Sequence, residues 1–198
     1  MDISAARVKE LREATGAGVL ECRKALEQYS GDFDKAIAFL KEKGLAKAAK
    51  KAERAVKDGR VEVYAHPGNR VGVMLEVNCE SDFVARTEDF KALVHNLVLH
   101  IAFANPRYVR PEDIPADVLE AQRAAFHAEA AATGKPANVL ERIVQGKLAK
   151  FYDETCLLRQ PFVKDDKVKI GDIVTEAVAK IGENIVVRRF VRYEVGEA

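Results

Sequence analysis

Two hydrophobic rhythms divide this chain, and the change from one to the other limits the folds open to it. As far as Lys57, apolar side chains recur every three or four positions; from Val61 to Cys79 they recur every second position. The first period belongs to a helix with one buried stripe, the second to a strand with one buried face. A fold of helices alone or of strands alone leaves one of the two patterns without a purpose.

Three short helices account for the opening. Ser4 is placed to cap the first, Ile3 and Val8 are set to close a hydrophobic staple, and Gly16 ends it. Val19, Cys22, Leu26 and Tyr29 form the stripe of the second, which stops at Gly31, where a left-handed cap is easy for glycine. The third opens at Asp32, carries Phe33, Ala36, Ile37 and Leu40 on one face and closes at Gly44. Leu45 to Lys57 has strong helix formers but a thin apolar stripe, the pattern of a helix that bridges rather than packs. The expected division is a three-helix domain over residues 1–45, a linker helix over 46–58 and a core over 59–198.

In the core, Val61-Glu62-Val63-Tyr64 and Val71 to Cys79 read as a hairpin turning at Pro67-Gly68-Asn69. Val71, Val73, Leu75, Val77 and Cys79 share one face, with Glu76 and Asn78 on the other. A loop from Glu80 to Arg86 leads to a helix capped by Thr87, striped by Phe90, Leu93, Val94, Leu97 and Ile101 and stopped by Pro106. Helices opening near Pro115 and Pro136 make an αα-hairpin. A turn at Lys164-Asp165-Asp166-Lys167, a helix over Ile173 to Ile181 and a strand from Ile185 to Val195 complete the pattern. The fold class predicted is α+β: a three-helix bundle and linker helix, then a core with a three-stranded, mostly antiparallel sheet and an αα-hairpin.

Charge and motif content narrow the function. Among 198 residues, 32 basic side chains nearly cancel 31 acidic ones, which argues against holding nucleic acid by its backbone. The opening turns are charged and no later stretch is long enough for a membrane span, so a cytoplasmic protein without membrane contact is expected. Cys22, Cys79 and Cys156 are scattered, and the first two fall on apolar faces, where cysteine behaves as a small hydrophobe. His95 and His100 stand five apart, away from one another around a helix, and read as surface or half-buried residues. No phosphate-binding loop, nucleophile elbow or zinc motif is found, so neither a cofactor nor a metal is expected, and the chain is not read as an enzyme.

Two stretches carry a resemblance. Leu11-Arg12-Glu13-Ala14-Thr15-Gly16-Ala17-Gly18-Val19-Leu20-Glu21-Cys22-Arg23-Lys24-Ala25-Leu26 closely resembles the opening of the elongation factor Ts family, where a small domain of the ubiquitin-associated type precedes a linker and a larger core. Asn78-Cys79-Glu80-Ser81-Asp82-Phe83-Val84-Ala85-Arg86 is similar to that family's T-D-F-V-A segment, with Ser81 in place of threonine. Gly134-Lys135-Pro136, Gly146-Lys147-Leu148 and Gln160-Pro161-Phe162-Val163 follow in the family's order.

The resemblance implies a guanine-nucleotide exchange factor whose partner is elongation factor Tu, GDP-bound and nucleotide-free. Ser81, Asp82, Phe83 and Val84 would dislodge Mg²⁺ and loosen GDP, and Arg12, Val19, Leu20 and Arg23 would dock on the GTPase domain. Val19 and Leu20 stand where methionines are common, and Arg23 where lysine is. Longer family members carry a second copy of the core subdomain; this chain has one Ser81-Asp82-Phe83 motif, as in the short bacterial form, which implies a homodimer.

Residue type alone reads differently in places. A phenylalanine such as Phe83 belongs more often in a core, although a loop position argues for exposure. Val19 and Leu20 are adjacent and cannot both face one narrow stripe, so at least one is expected at the surface. Two other functions fit parts of the chain: a homodimeric adaptor with a ubiquitin-associated-like peptide-binding domain, and an RNA-binding protein using the linker lysines with Arg188, Arg189 and Arg192.

Overall fold

The computed structural model describes residues 3–134 and 136–197, so Lys135 of the Gly134-Lys135-Pro136 triplet lies outside the described residues. In chain order the helices are α1 (Ala5–Thr15), α2 (Val19–Gln28), α3 (Phe33–Ala49), α4 (Asp82–Ala85), α5 (Glu88–Ala104), α6 (Ala116–Ala131), α7 (Ala137–Thr155) and α8 (Ile170–Ile181). The strands are β1 (Asp58–Ala65), β2 (Val71–Cys79), β3 (Pro161–Phe162), β4 (Asp165–Lys169) and β5 (Ile185–Glu194). An antiparallel sheet runs in the order β1-β2-β5, and β3 pairs with β4 in a separate antiparallel ribbon. The class is α+β, as the two rhythms require.

One compact unit comprises Met1–Arg60, Val77–Leu93 and Val174–Val186. Its first three helices enclose Val8, Leu11, Cys22, Ala25, Leu26, Ala36 and Leu40, with Ile3, Phe33 and Ile37 packed against them. The caps are those the sequence calls for. Ser4 Oγ accepts the Arg7 N–H at 3.3 Å, and Asp32 Oδ1 accepts the Lys35 N–H at 3.1 Å. Gly16 takes φ 67°, a left-handed conformation open to glycine, and its N–H donates to the Arg12 carbonyl.

The third helix does not close at Gly44. It continues to Ala49, and the helix expected over 46–58 gives way to turns from Lys50 onward. The missing Cβ serves close approach instead of termination: a Cβ on Gly44 would stand 3.2 Å from that of Ala179 on α8. Ala48 is buried, Lys51 Nζ donates to the Gly182 carbonyl, and Lys41 lies 3.7 Å from Glu176. As far as Lys51 this stretch packs against α8 and the turn that follows it.

The second unit comprises Val61–Glu76, Val94–Ile173 and Val187–Ala198. Helices α6 and α7 form the expected hairpin around Ala130, Val144 and Leu148, with Leu119, Phe126, Leu140, Ile143 and Tyr152 alongside. Asp165 and Asp166, read from sequence as part of a turn, begin β4, and the turn lies at Val163 and Lys164 instead. His100 is fully buried, not superficial: its Nε2 lies 2.9 Å from Gln160 Oε1, and its Nδ1 accepts the Val163 N–H at 3.4 Å. With both nitrogens engaged, burial costs little and holds the imidazole pKa below its ordinary value.

On β2 the alternation is as predicted. Val73, Leu75, Val77 and Cys79 are buried and Val71 is half-buried. The other side of the second unit's strands presents exposed apolar residues, Val61, Val63, Met74, Val191 and Tyr193, beside an Arg189–Glu76 ion pair at 2.7 Å.

Candidate partner-binding site

The segment after β2 is not an open loop. Ser81 breaks from the strand with φ −134° and ψ 153° and caps a single helical turn, α4, its Oγ accepting the Val84 N–H at 3.4 Å. Within that turn the four residues split by direction. Val84 and Ala85 face inward and are buried, whereas Asp82 and Phe83 face out. Phe83 is 78% exposed, which settles the conflict between residue type and position in favour of position. Asp82 Oδ2 accepts from Arg86 Nη2 at 2.7 Å, an exposed i,i+4 pair.

Both ends of the turn are held. At its far end Thr87 Oγ1 donates to the Val84 carbonyl at 2.8 Å and accepts the Phe90 N–H at 3.3 Å, so the predicted cap of α5 is present. At its near end the Glu183 carboxylate accepts three bonds: the Glu80 and Ser81 N–H groups on Oε2, each at 3.0 Å, and the Ser81 hydroxyl on Oε1 at 2.6 Å. Glu80 in turn accepts the Asn184 N–H at 2.7 Å, and buried Asn184 donates its Nδ2 to the carbonyls of Ala52 and Arg54. Cys79 Sγ donates to the Ser81 carbonyl, and burial pushes its thiol pKa up, with the Glu183 charge adding in the same direction.

Sequence reasoning missed Glu183 and Asn184. They lie about 100 residues from the motif they hold, and the one local signal is a Gly-Glu-Asn triplet between an apolar helix pattern and a strand.

The other predicted residues lie on the two helices that flank the Thr15 to Gly18 turn. Arg12 sits in the last turn of α1, Val19 and Leu20 open α2, and Arg23 follows one turn later. Val19 is 51% and Leu20 74% exposed, so both members of the adjacent pair face solvent. Arg23 Nε donates to Glu27 Oε1 at 2.8 Å. Beneath them Cys22 is fully buried, donates to the Ala17 carbonyl and has its thiol pKa raised by burial. The structure thus presents two exposed groups, an apolar-plus-cationic one at the α1–α2 corner and an aromatic-plus-acidic one on α4, both within the first unit.

Among the described residues no cluster of three or more His, Cys, Asp or Glu side chains is arranged to hold a metal, and no helix is long and apolar enough to cross a membrane. What the arrangement offers is contact surface: a rigidly held aromatic tip beside a carboxylate.

Comparison with known proteins agrees with the motifs. The family described as elongation factor TS matches residues 4–197. The elongation factor Ts of Herpetosiphon aurantiacus is 59% identical over 196 residues, covering 99% of each chain. That of Carboxydothermus hydrogenoformans is 53% identical over 195 residues, covering 98% of this chain and 90% of its own. That of Koribacter versatilis is 51% identical over 197 residues.

Proposed function

This chain belongs to the elongation factor Ts family, and on that premise we propose that it is a guanine-nucleotide exchange factor which binds elongation factor Tu·GDP and releases GDP so that GTP can enter. The observation that carries the reading is Phe83, a large aromatic left 78% exposed on a turn whose two ends are both hydrogen-bonded. An aromatic so placed gains nothing for its own fold and is suited to burial in a partner. Phe83 enters the partner near its metal and phosphate contacts, and Asp82 brings a negative charge to them. Ser81 and Val84 hold the turn from which those two project.

Arg12, Val19, Leu20 and Arg23 dock on the GTPase domain, their exposed apolar pair supplying area and their cations orientation. In this reading residues 1–45 serve docking, 46–58 join, and 59–198 carry the tip and the self-association surface. The exposed apolar strand residues Val61, Val63, Met74, Val191 and Tyr193 favour a homodimer. The chain works in the cytoplasm, needs no cofactor and performs no chemistry. It accelerates release because it binds the nucleotide-free GTPase more tightly than the GDP-bound form, and linkage requires nucleotide to weaken its own binding in the same measure.

The direct test is release of fluorescent GDP from elongation factor Tu, with and without this protein. A strong acceleration by substoichiometric protein is expected. An unchanged rate together with tight binding of an extended peptide at the α1–α2 corner would favour the adaptor.

A further inference from the structure

We propose that Glu183 is the positioning residue for the Asp82-Phe83 tip, fixing its direction by a three-bond cradle without touching the partner itself. The inference rests on the exchange reading for its functional consequence and on geometry for its structural one.

Glu183 follows Gly182, which takes φ 92° and donates its N–H to the Val178 carbonyl, so α8 ends there and the chain turns toward the motif. One carboxylate oxygen then gathers the two successive N–H groups that β2 leaves behind, those of Glu80 and Ser81. The other accepts a hydrogen bond from the Ser81 hydroxyl, which orients that hydroxyl so that its lone pairs face the Val84 N–H. The charge therefore reaches α4 at two points of its cap. Hydrogen bonds to an ionised acceptor are shorter and roughly twice as strong as neutral ones, and three on one carboxylate leave the cap little freedom. Asn184 repeats the arrangement in reverse: its N–H meets the Glu80 carboxylate, and its amide ties down the Ala52 and Arg54 carbonyls. A four-residue helical turn has too few internal bonds to hold a shape alone. The stiffness of the tip is imported from Glu183.

The chain contains no tryptophan, so a Phe83→Trp variant carries a single indole at the tip whose fluorescence anisotropy reports its freedom without any partner present. In that background Glu183→Ala is expected to lower the anisotropy toward that of a freely rotating side chain. Glu183→Gln, whose carbonyl can still accept the two N–H groups while its amide meets the hydroxyl, retains most of it. In the chain with Phe83 in place, Glu183→Ala slows catalysed GDP release by about tenfold, and Glu183→Gln restores most of the rate.

Should Glu183→Ala prevent folding, Glu183→Asp carries the same measurements, because the shorter carboxylate cannot reach all three donors. Anisotropy that stays at the parent value in the Ala or Asp variant overturns the proposal. So does a Gln variant as loose as the Ala one, or a loosened tip that releases GDP at the wild-type rate. If wild-type protein fails to release GDP, the exchange reading falls, while the anisotropy series still decides whether Glu183 sets the tip.

Discussion

Gly44 and Ala179 approach so closely that a Cβ on the glycine would stand 3.2 Å from the alanine methyl. Glycine inside a helix costs about 1 kcal/mol relative to alanine, so its presence in the interior of a 17-residue helix calls for a compensating contact, and α8 provides it. Gly44→Leu is expected to lower stability by about 1–3 kcal/mol through overpacking, despite its better helix propensity. Urea denaturation checks this; an unchanged midpoint would mean that the two helices separate freely.

Phe83→Ala would cost about 3–5 kcal/mol if the ring were in a core. At 78% exposure the expected change is within about 0.5 kcal/mol, while catalysed GDP release falls steeply. Asp82→Ala removes an exposed i,i+4 pair worth about 0.3–0.5 kcal/mol, so the melting temperature stays near wild type. Its release defect should be larger at high Mg²⁺ than at low. Thermal melts paired with stopped-flow release separate these effects, and a stable Phe83→Ala protein with full activity would falsify the wedge.

His100 gives stability a pH dependence. Burial holds its folded pKa below the ordinary 6.5, so the unfolded chain takes up the proton more readily than the folded one. Its contribution is full above about pH 6.5 and is lost as pH falls toward the folded value, where a second N–H would face the Val163 N–H instead of accepting it. Urea midpoints should therefore fall between pH 7 and 5, and His100→Gln should flatten that slope. An equally steep slope in the variant would assign the effect to other groups.

Self-association through the exposed apolar strand residues predicts a dimer at micromolar concentration by light scattering. Val63→Lys should shift it toward monomer while leaving the secondary structure intact, because Val63 faces solvent within one chain. A wild-type protein that scatters only as monomer would remove the homodimer from the proposal.

The elements that local rules specify were legible: the caps at Ser4 and Thr87, the helix stop at Gly16, the helix start at Asp32, and the period-two burial of β2. What escaped was fixed by distant partners. Gly44 carries the same local signal whether it ends a helix or admits a neighbour, and only Ala179 distinguishes the cases. Asp165 and Asp166 are turn formers by composition, yet the ladder with Pro161 and Phe162 makes them strand. His100 looked superficial because its acceptor, Gln160, lies 60 residues away. At the site the exposed tip could be found from the motif and its loop position, whereas the Glu183 cradle spans about 100 residues and leaves no periodic trace.

Thr87 spends one hydroxyl on two helices: its proton closes the turn that bears Phe83, and its lone pair opens the 17-residue α5. The aromatic tip therefore has no setting independent of the long helix. Rotating the short turn against the strand would strip the Phe90 N–H, one of the orphan donors in the first turn of α5, so any such motion is coupled to fraying at a helix whose opening residues include fully buried Phe90. A displacement of the tip is thus shared with the opening turn of α5 rather than absorbed by a yielding loop, and residue 87 is the joint between them.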